Sequence, residues 1–210
     1  MWVAGDAGVG PVGVTTRLVA AARDHGAQVH LDTAVTGIRR DRAGQVVGVD
    51  TGAGPLNGST VVLAAGVATA RLAASAGVRV PVEASPCPAD AVSGTTNLVH
   101  TVVNTDDFDL RQVAPDQLVA AADSPQQTLT AIRSTFRDDD VELLATQIAV
   151  RPMPADGDPI IGPVSDVPGL YVAVMHSAIT LAPVVGRLIG LEVVYGIDQA
   201  MLHGCRLTRS

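Results

Sequence analysis

The sequence predicts a mixed α/β fold with α+β character, a nucleotide-binding type of domain interrupted by a mainly antiparallel insertion. Three observations carry this. Of the 210 residues, 47% are hydrophobic but only five are aromatic (Trp2, Phe108, Phe136, Tyr171 and Tyr195). The core must therefore be built from Ala, Val, Leu and Ile, whose β-branched share favours strands packed under helices. An early helical pattern is followed by short extended runs and one fully apolar run, the order of half a nucleotide-binding domain. After a stretch rich in Pro, Ser and Ala, the last sixty residues read as strand, polar turn and helix.

The elements follow in order. From Val12 to His25 apolar residues recur at Val14, Leu18, Val19 and Ala22, and Gly26 supplies a helix stop. "AQVHLD" reads as a strand towards Asp32, "AVTGIRR" continues extended, and "AGQVVGVDT" is its hairpin partner across an Asp41 to Gly44 turn. "TVVLAAG" is a short buried strand ending on Gly66. This first part spans residues 1–80. The second, 81–150, opens with "VPVEASPCPADAVSGTTN" and continues into "LVHTVVNT" and "FDLRQVAPDQLVAAA", extended runs around a Pro115-Asp116 turn. Ser124 as cap and Pro125 at the first position start a helix. Asp138 to Asp140 make a solvated turn, since no partner carboxylates sit at metal-binding spacing. The third part, 151–210, carries a buried strand from Leu170 to Val174, a turn at His176-Ser177 and a helix from about Pro183 to Val194. The unpaired N–H groups of that helix start form a natural site for an anion or a carbonyl oxygen.

Composition excludes several functions. The net charge of −7 leaves no basic face for nucleic acid. All 14 basic residues are arginine, so Schiff-base and pyridoxal chemistry and a lysine-tipped phosphate loop are absent. Ser93 and Ser177 lack a Gly-x-Ser-x-Gly turn, and His25 and His30 form no His-Glu-x-x-His, so neither a serine hydrolase nor a catalytic metal is expected. Val167 to Gly186 is uncharged and long, but Pro168, His176 and Pro183 argue for strand, loop and helix rather than a membrane span. Cys87 and Cys205 are read as reduced thiols in a cytoplasmic protein. A small-molecule partner is expected, with homo-oligomerisation left open.

The C-terminal motifs occur as a series: Arg151-Pro152, Asp156-Gly157, Pro159, Ile161-Gly162-Pro163, Gly169 to Val172, His176-Ser177, Thr180 to Pro183, and Gly186-Arg187. In this order and spacing they resemble the signature of the FAD-dependent oxidoreductases of the D-amino-acid oxidase and glycine oxidase type. Pro11 and its helix, Val35, "VVLAAG" and "DFDLRQVAPDQLVAAA" extend the resemblance over nearly the whole chain. The family's opening unit of ~30 residues, with its glycine fingerprint and ribose-binding acid, has no counterpart in this alignment.

"GVGPVG", Gly8 to Gly13, has the spacing of that fingerprint, with Asp32 about 20 residues on as a ribose ligand. A nicotinamide-dependent protein using Gly8, Gly10 and Gly13 is thus one alternative. The preceding strand would be "MWVAGDA", however, where Gly5 and Asp6 stand in place of buried apolar residues, and the resemblance assigns Pro11 and its helix to a later element. The look-alike reading is the better supported.

The resemblance implies an oxidoreductase acting on the C–N bond of an amino acid or related amine by hydride transfer to noncovalent FAD. Arg151 stands where the family binds the substrate carboxylate. The segment His176, Ser177, Ala178, Ile179, Thr180 and Leu181 stands where the family wraps the flavin ring, with His176 in a positioning or electrostatic role. Val35 would meet the adenine by its backbone, and Ala65 and Gly66 would pass close to the cofactor. Met175 and Ala178 replace glycines frequent in the family and narrow that space. A truncated, non-catalytic fragment or binding module of the same family is the other alternative.

Overall fold

Gly10 caps a helix, α1 (Pro11–Asp24), in the computed structural model, which describes residues 9–94 and 98–209. Proline at the first helical position needs no N–H there, and Gly26 at φ +90° ends the helix in the left-handed conformation that glycine adopts freely. The helical period is as the sequence predicts, but its apolar stripe is not covered: no α1 residue is buried, and Val12 is 80% exposed.

The chain forms two compact units, residues 1–29 with 86–150 and residues 30–85 with 151–210. The chain passes between them in the irregular segment after α1, at residues 29–30, and within β5 (Val82–Ser93) and β9 (Leu143–Pro154).

The first unit is built on an antiparallel sheet. β6 (Val102–Asn104), β7 (Asp109–Ala114) and β8 (Gln117–Ala121) form a meander, and β8 pairs with β5. The order is β6-β7-β8-β5-β9. Helix α3 (Pro125–Phe136) packs Ile132 into a core with Val92, Leu110, Leu118 and Val141. Its predicted cap is present: the Ser124 hydroxyl accepts from the Gln127 N–H at 3.3 Å. Asp90, wholly buried, accepts from the hydroxyls of Thr128 and Thr146, each at 2.7 Å.

In the second unit β1 (Val35–Arg40), β2 (Val46–Thr51) and β3 (Gly54–Asn57) make one antiparallel sheet. The Asp41 to Gly44 turn joins the first two, with the Asp41 carboxylate accepting from the Ala43 and Gln45 N–H groups. A second sheet has the order β10-β11-β4, from β10 (Ile160–Pro163), β11 (Leu170–Val174) and β4 (Val61–Leu63). β11 runs antiparallel to β10 and parallel to β4, with Leu170, Tyr171 and Val172 opposite Val61, Val62 and Leu63. Every residue of β11 is buried, as its continuous apolar run predicts. Leu170, Val172 and Val174 face a core shared with β1, β2 and helix α2 (Thr69–Ala74). Tyr171 and Met175 point the other way, into a cluster with Val185, Leu181 and Leu188 of helix α4 (Ala178–Tyr195).

Three sequence expectations change. "AQVHLD" is not a strand: residues 27–34 are irregular, and Asp32 takes φ +53° in a turn rather than closing a strand. α4 starts at Ala178, five residues before Pro183. Proline read as a first-position marker, but in the second turn it removes one N–H without ending the helix. Finally, β3 and α2 have no predicted counterpart, because "GPLN" and "TARLAA" are too short to show a period. The 18 residues of α4, with a mean hydropathy of 1.6, are long and apolar enough to cross a membrane, although one side packs on β11.

Candidate active site

β4 and β11 are adjacent and parallel, so both end at the same edge of their sheet. Ligands of open α/β sheets bind outside the carboxyl ends of such strands. β4 leads into Ala65 and Gly66, and β11 into Met175 and His176. Gly66 starts a turn of 3-10 helix at φ +55°, a conformation that disfavours any side chain, and a Cβ there would lie 3.9 Å from the Pro152 ring. Arg151 is thus carried on β9 immediately next to a residue that approaches the end of β4.

Arg151 is half-buried, and its Nη2 donates to the Ser85 hydroxyl at 3.0 Å. Its Nε is buried with no hydrogen-bond partner among the described residues. A buried donor of this kind is costly unless something accepts from it. Ser85 was not foreseen, since a serine in a Pro- and Ala-rich run carries no positional signal.

Beyond His176, Ser177 is the extended N-cap of α4 and makes no side-chain capping bond. Leu181 N–H bonds back to the Ser177 carbonyl at 3.2 Å. The N–H groups of Ala178, Ile179 and Thr180 therefore precede the first intrahelical acceptor, at the positive end of the 18-residue helix. Ser177 to Thr180 are exposed and Leu181 is anchored in the α4 cluster. His176 is half-buried and makes no hydrogen bond or ion pair among the described residues.

The sequence-derived residues thus lie in one unit, but not all at one place. Ala65, Gly66 and the 176–181 segment follow the ends of the two parallel strands, and Arg151-Pro152 reaches Gly66. Val35 opens β1 in the other sheet and packs against the core. Gly8 lies outside the described residues. A Cβ at Gly10 or Gly13 would meet nothing within 4 Å, so the packing of the described residues requires neither glycine. Asp32 lies in a turn rather than at a strand end, and the strand that such a fingerprint follows would lie outside the described residues.

A family model described as FAD dependent oxidoreductase matches residues 1–190. The chain belongs to that family of FAD-dependent oxidoreductases. No curated protein sequence matches it significantly. Among solved structures, glycine oxidase from Geobacillus kaustophilus is 25% identical, with a TM-score of 0.83 over 94% of this chain and 57% of its own. L-proline dehydrogenase from P. horikoshii gives 0.85 at 18% identity, over 94% of this chain and 59% of its own. L-amino acid deaminase from Proteus vulgaris, with its specific insertion deleted, gives 0.80 at 21% identity, over 92% and 53%. The chain spans little more than half the length of these FAD-oxidoreductase-like structures.

The residues present are of a kind that fits the family's cofactor. An uncapped helix start presents N–H donors to an acceptor, Gly66 leaves its side of the strand ends open, and Arg151 holds a buried donor without an acceptor among the described residues.

Proposed function

We propose that this chain forms the flavin-facing part of an enzyme that oxidises the C–N bond of an amino acid or related amine with noncovalent FAD. The observation that supports this most is the buried, unpartnered Nε of Arg151 on a strand that reaches Gly66 at the end of β4. When bound, FAD supplies the hydride acceptor for the carbon bearing the amine.

The protein's own part is binding and orientation. Arg151, planar and always charged, holds the substrate carboxylate through parallel hydrogen bonds, and Ser85 fixes one arm of the guanidinium. The N–H groups of Ala178 to Thr180 stabilise negative charge on an oxygen placed at the helix start. His176, without a protein partner, adds a polar group beside them. Cys205 packs against the α4 cluster and Cys87 contacts the Pro88 carbonyl, so neither is assigned a covalent flavin link. Relatives named glycine oxidase, L-proline dehydrogenase and L-amino acid deaminase support an amino-acid substrate.

The test is the visible absorption spectrum of the purified chain before and after incubation with FAD and gel filtration. A retained flavin band supports the reading and leads to turnover assays with D-amino acids, glycine and sarcosine. A colourless protein that never retains FAD replaces it with the non-catalytic alternative.

A further inference from the structure

A second concave site lies in the same unit, sharing no residue with the one above. Four segments line a half-open cleft of about 660 Å³: the end of β1 at Arg40, residues 76–81 after α2, the 163–167 turn after β10, and Leu207-Thr208. This is the size range of small-molecule sites.

Its walls are firmly held. Val78 and Val80 are buried in the core on either side of Arg79, so the alternation of an extended chain sends Arg79 outward onto the rim. Val164 and Val167 are buried as well, and the Val167 N–H bonds to the Val164 carbonyl at 3.1 Å, which fixes Ser165 and Asp166 on the turn between them. Arg209 ties the C-terminal segment down, with Nε 2.9 Å from Asp156 and Nη1 2.8 Å from the Pro159 carbonyl.

The charges are unmatched. Arg40 has one hydrogen bond, from Nη1 to the Ala76 carbonyl at 3.1 Å, and Arg79 has none among the described residues. Neither guanidinium has a carboxylate partner among the described residues, in a chain that carries 21 acidic residues against 14 basic ones. Val78, Val164, Val167 and Leu207 give the lining apolar surface, and Ser165 and Thr208 add hydroxyl-bearing residues to it.

We propose that this cleft binds a small molecule with a dianionic head, a phosphate or a dicarboxylate, held between Arg40 and Arg79. Guanidinium groups suit such heads because their planar donors match paired anionic oxygens. Asp166, also on the rim, takes a hydroxyl or amino donor of the same ligand. The ligand is therefore anionic at one end only.

The experiment is calorimetric titration of the purified full chain with inorganic phosphate, and in parallel with succinate, at an ionic strength fixed with sodium chloride. Saturable one-to-one binding is expected, weakened tenfold or more in Arg79→Ala and unchanged in Arg71→Ala, whose arginine lies outside the cleft. Arg79→Gln, which keeps the stem of the side chain, should weaken it equally. Tighter phosphate binding assigns the head to a phosphate ester, and tighter succinate binding to a dicarboxylate. Heats that never saturate with either probe overturn the proposal. So does equal weakening in Arg79→Ala and Arg71→Ala.

Discussion

Arg206 closes on Glu192 with both arms of its guanidinium, Nη1 lying 2.9 Å from Oε2 and Nη2 against Oε1. Tyr171 donates to the same Oε2 at 2.6 Å, and the Gln199 N–H donates to Oε1 at 2.9 Å. One carboxylate thus joins α4, β11 and the C-terminal segment. Its two oxygens are fully engaged, which is how a mostly buried charge becomes tolerable.

This arrangement predicts acid sensitivity. Burial alone would raise the carboxyl of Glu192, but hydrogen bonds from Arg206, Tyr171 and Gln199 outweigh it and hold the group at about 2. A depressed folded value stabilises the protein above the ordinary value near 4.5, and that contribution fades as pH falls towards 2. Glu192→Gln should therefore be less stable than wild type at neutral pH by roughly 2 kcal/mol, and the gap should close between pH 4.5 and 2. Urea unfolding across that range measures it. A gap independent of pH would show that the carboxylate charge is not what matters.

Tyr171 titrates in the opposite direction. Burial and then the bond to Glu192 push its hydroxyl far above the ordinary range for tyrosine. Its contribution is present below the unfolded value near 10 and is lost as pH rises beyond it. Tyr195→Phe leaves Tyr171 as the single tyrosine of the chain. In that variant the tyrosinate absorbance should rise together with unfolding, as followed by circular dichroism, and not before.

Gly162 makes room for Arg206. Its φ is +152°, and a Cβ would lie 2.6 Å from Arg206 Nη1 and 2.7 Å from Cδ. Because Glu192 fixes that guanidinium, it cannot swing away cheaply. Gly162→Ala should cost about 1 to 3 kcal/mol. Adding Arg206→Ala should recover part of this, since the clash goes with the side chain. Thermal unfolding of the two single variants and the double variant gives the coupling, and strict additivity would contradict the contact.

How far these relationships were legible in the sequence depends on their range. Local signals held: Ser124-Pro125 marks the start of α3, Asp41 to Gly44 marks a hairpin turn, and the apolar run at Leu170 marks a strand buried on both faces. Motif order likewise pointed to the family. The Glu192, Arg206 and Tyr171 cluster was not legible, because its members sit on three elements and nothing in their spacing links them. Ser85 was silent for the same reason: it is 66 residues from the arginine it contacts. α1 shows the limit of local signals. Its period marks the helix, but period reports only the side a helix could bury, and no α1 residue is buried.

Asp90 supports a test within the first unit alone. It is wholly buried, and its two oxygens accept from Thr128 on α3 and Thr146 on β9. Asp90→Ala leaves the buried Thr128 hydroxyl with only the Ser124 carbonyl at 3.2 Å and releases the exposed Thr146 hydroxyl to water, and should lower stability by about 1 to 3 kcal/mol. Replacing both threonines by valine as well should recover part of that loss, because the buried Thr128 donor that Asp90 satisfied is then gone. Denaturant midpoints decide between this outcome and a simple packing defect, which the valines would not repair.

Arg151 carries the functional prediction. If its guanidinium holds the substrate carboxylate, Arg151→Ala should cut turnover at least a hundredfold while leaving the flavin band after gel filtration unchanged, since bidentate positioning contributes several kcal/mol. Arg151→Lys keeps the charge but loses the paired donors, and should recover little. Ser85→Ala removes only the bond at 3.0 Å that orients one arm, so it should raise KM more than it lowers kcat. Adding free guanidinium to Arg151→Ala should restore part of the activity, because the lost group is then supplied in solution. If Arg151→Ala retained full turnover, the carboxylate would have to be held by another group, and Arg151 would be reduced to pinning β9 beside Ser85.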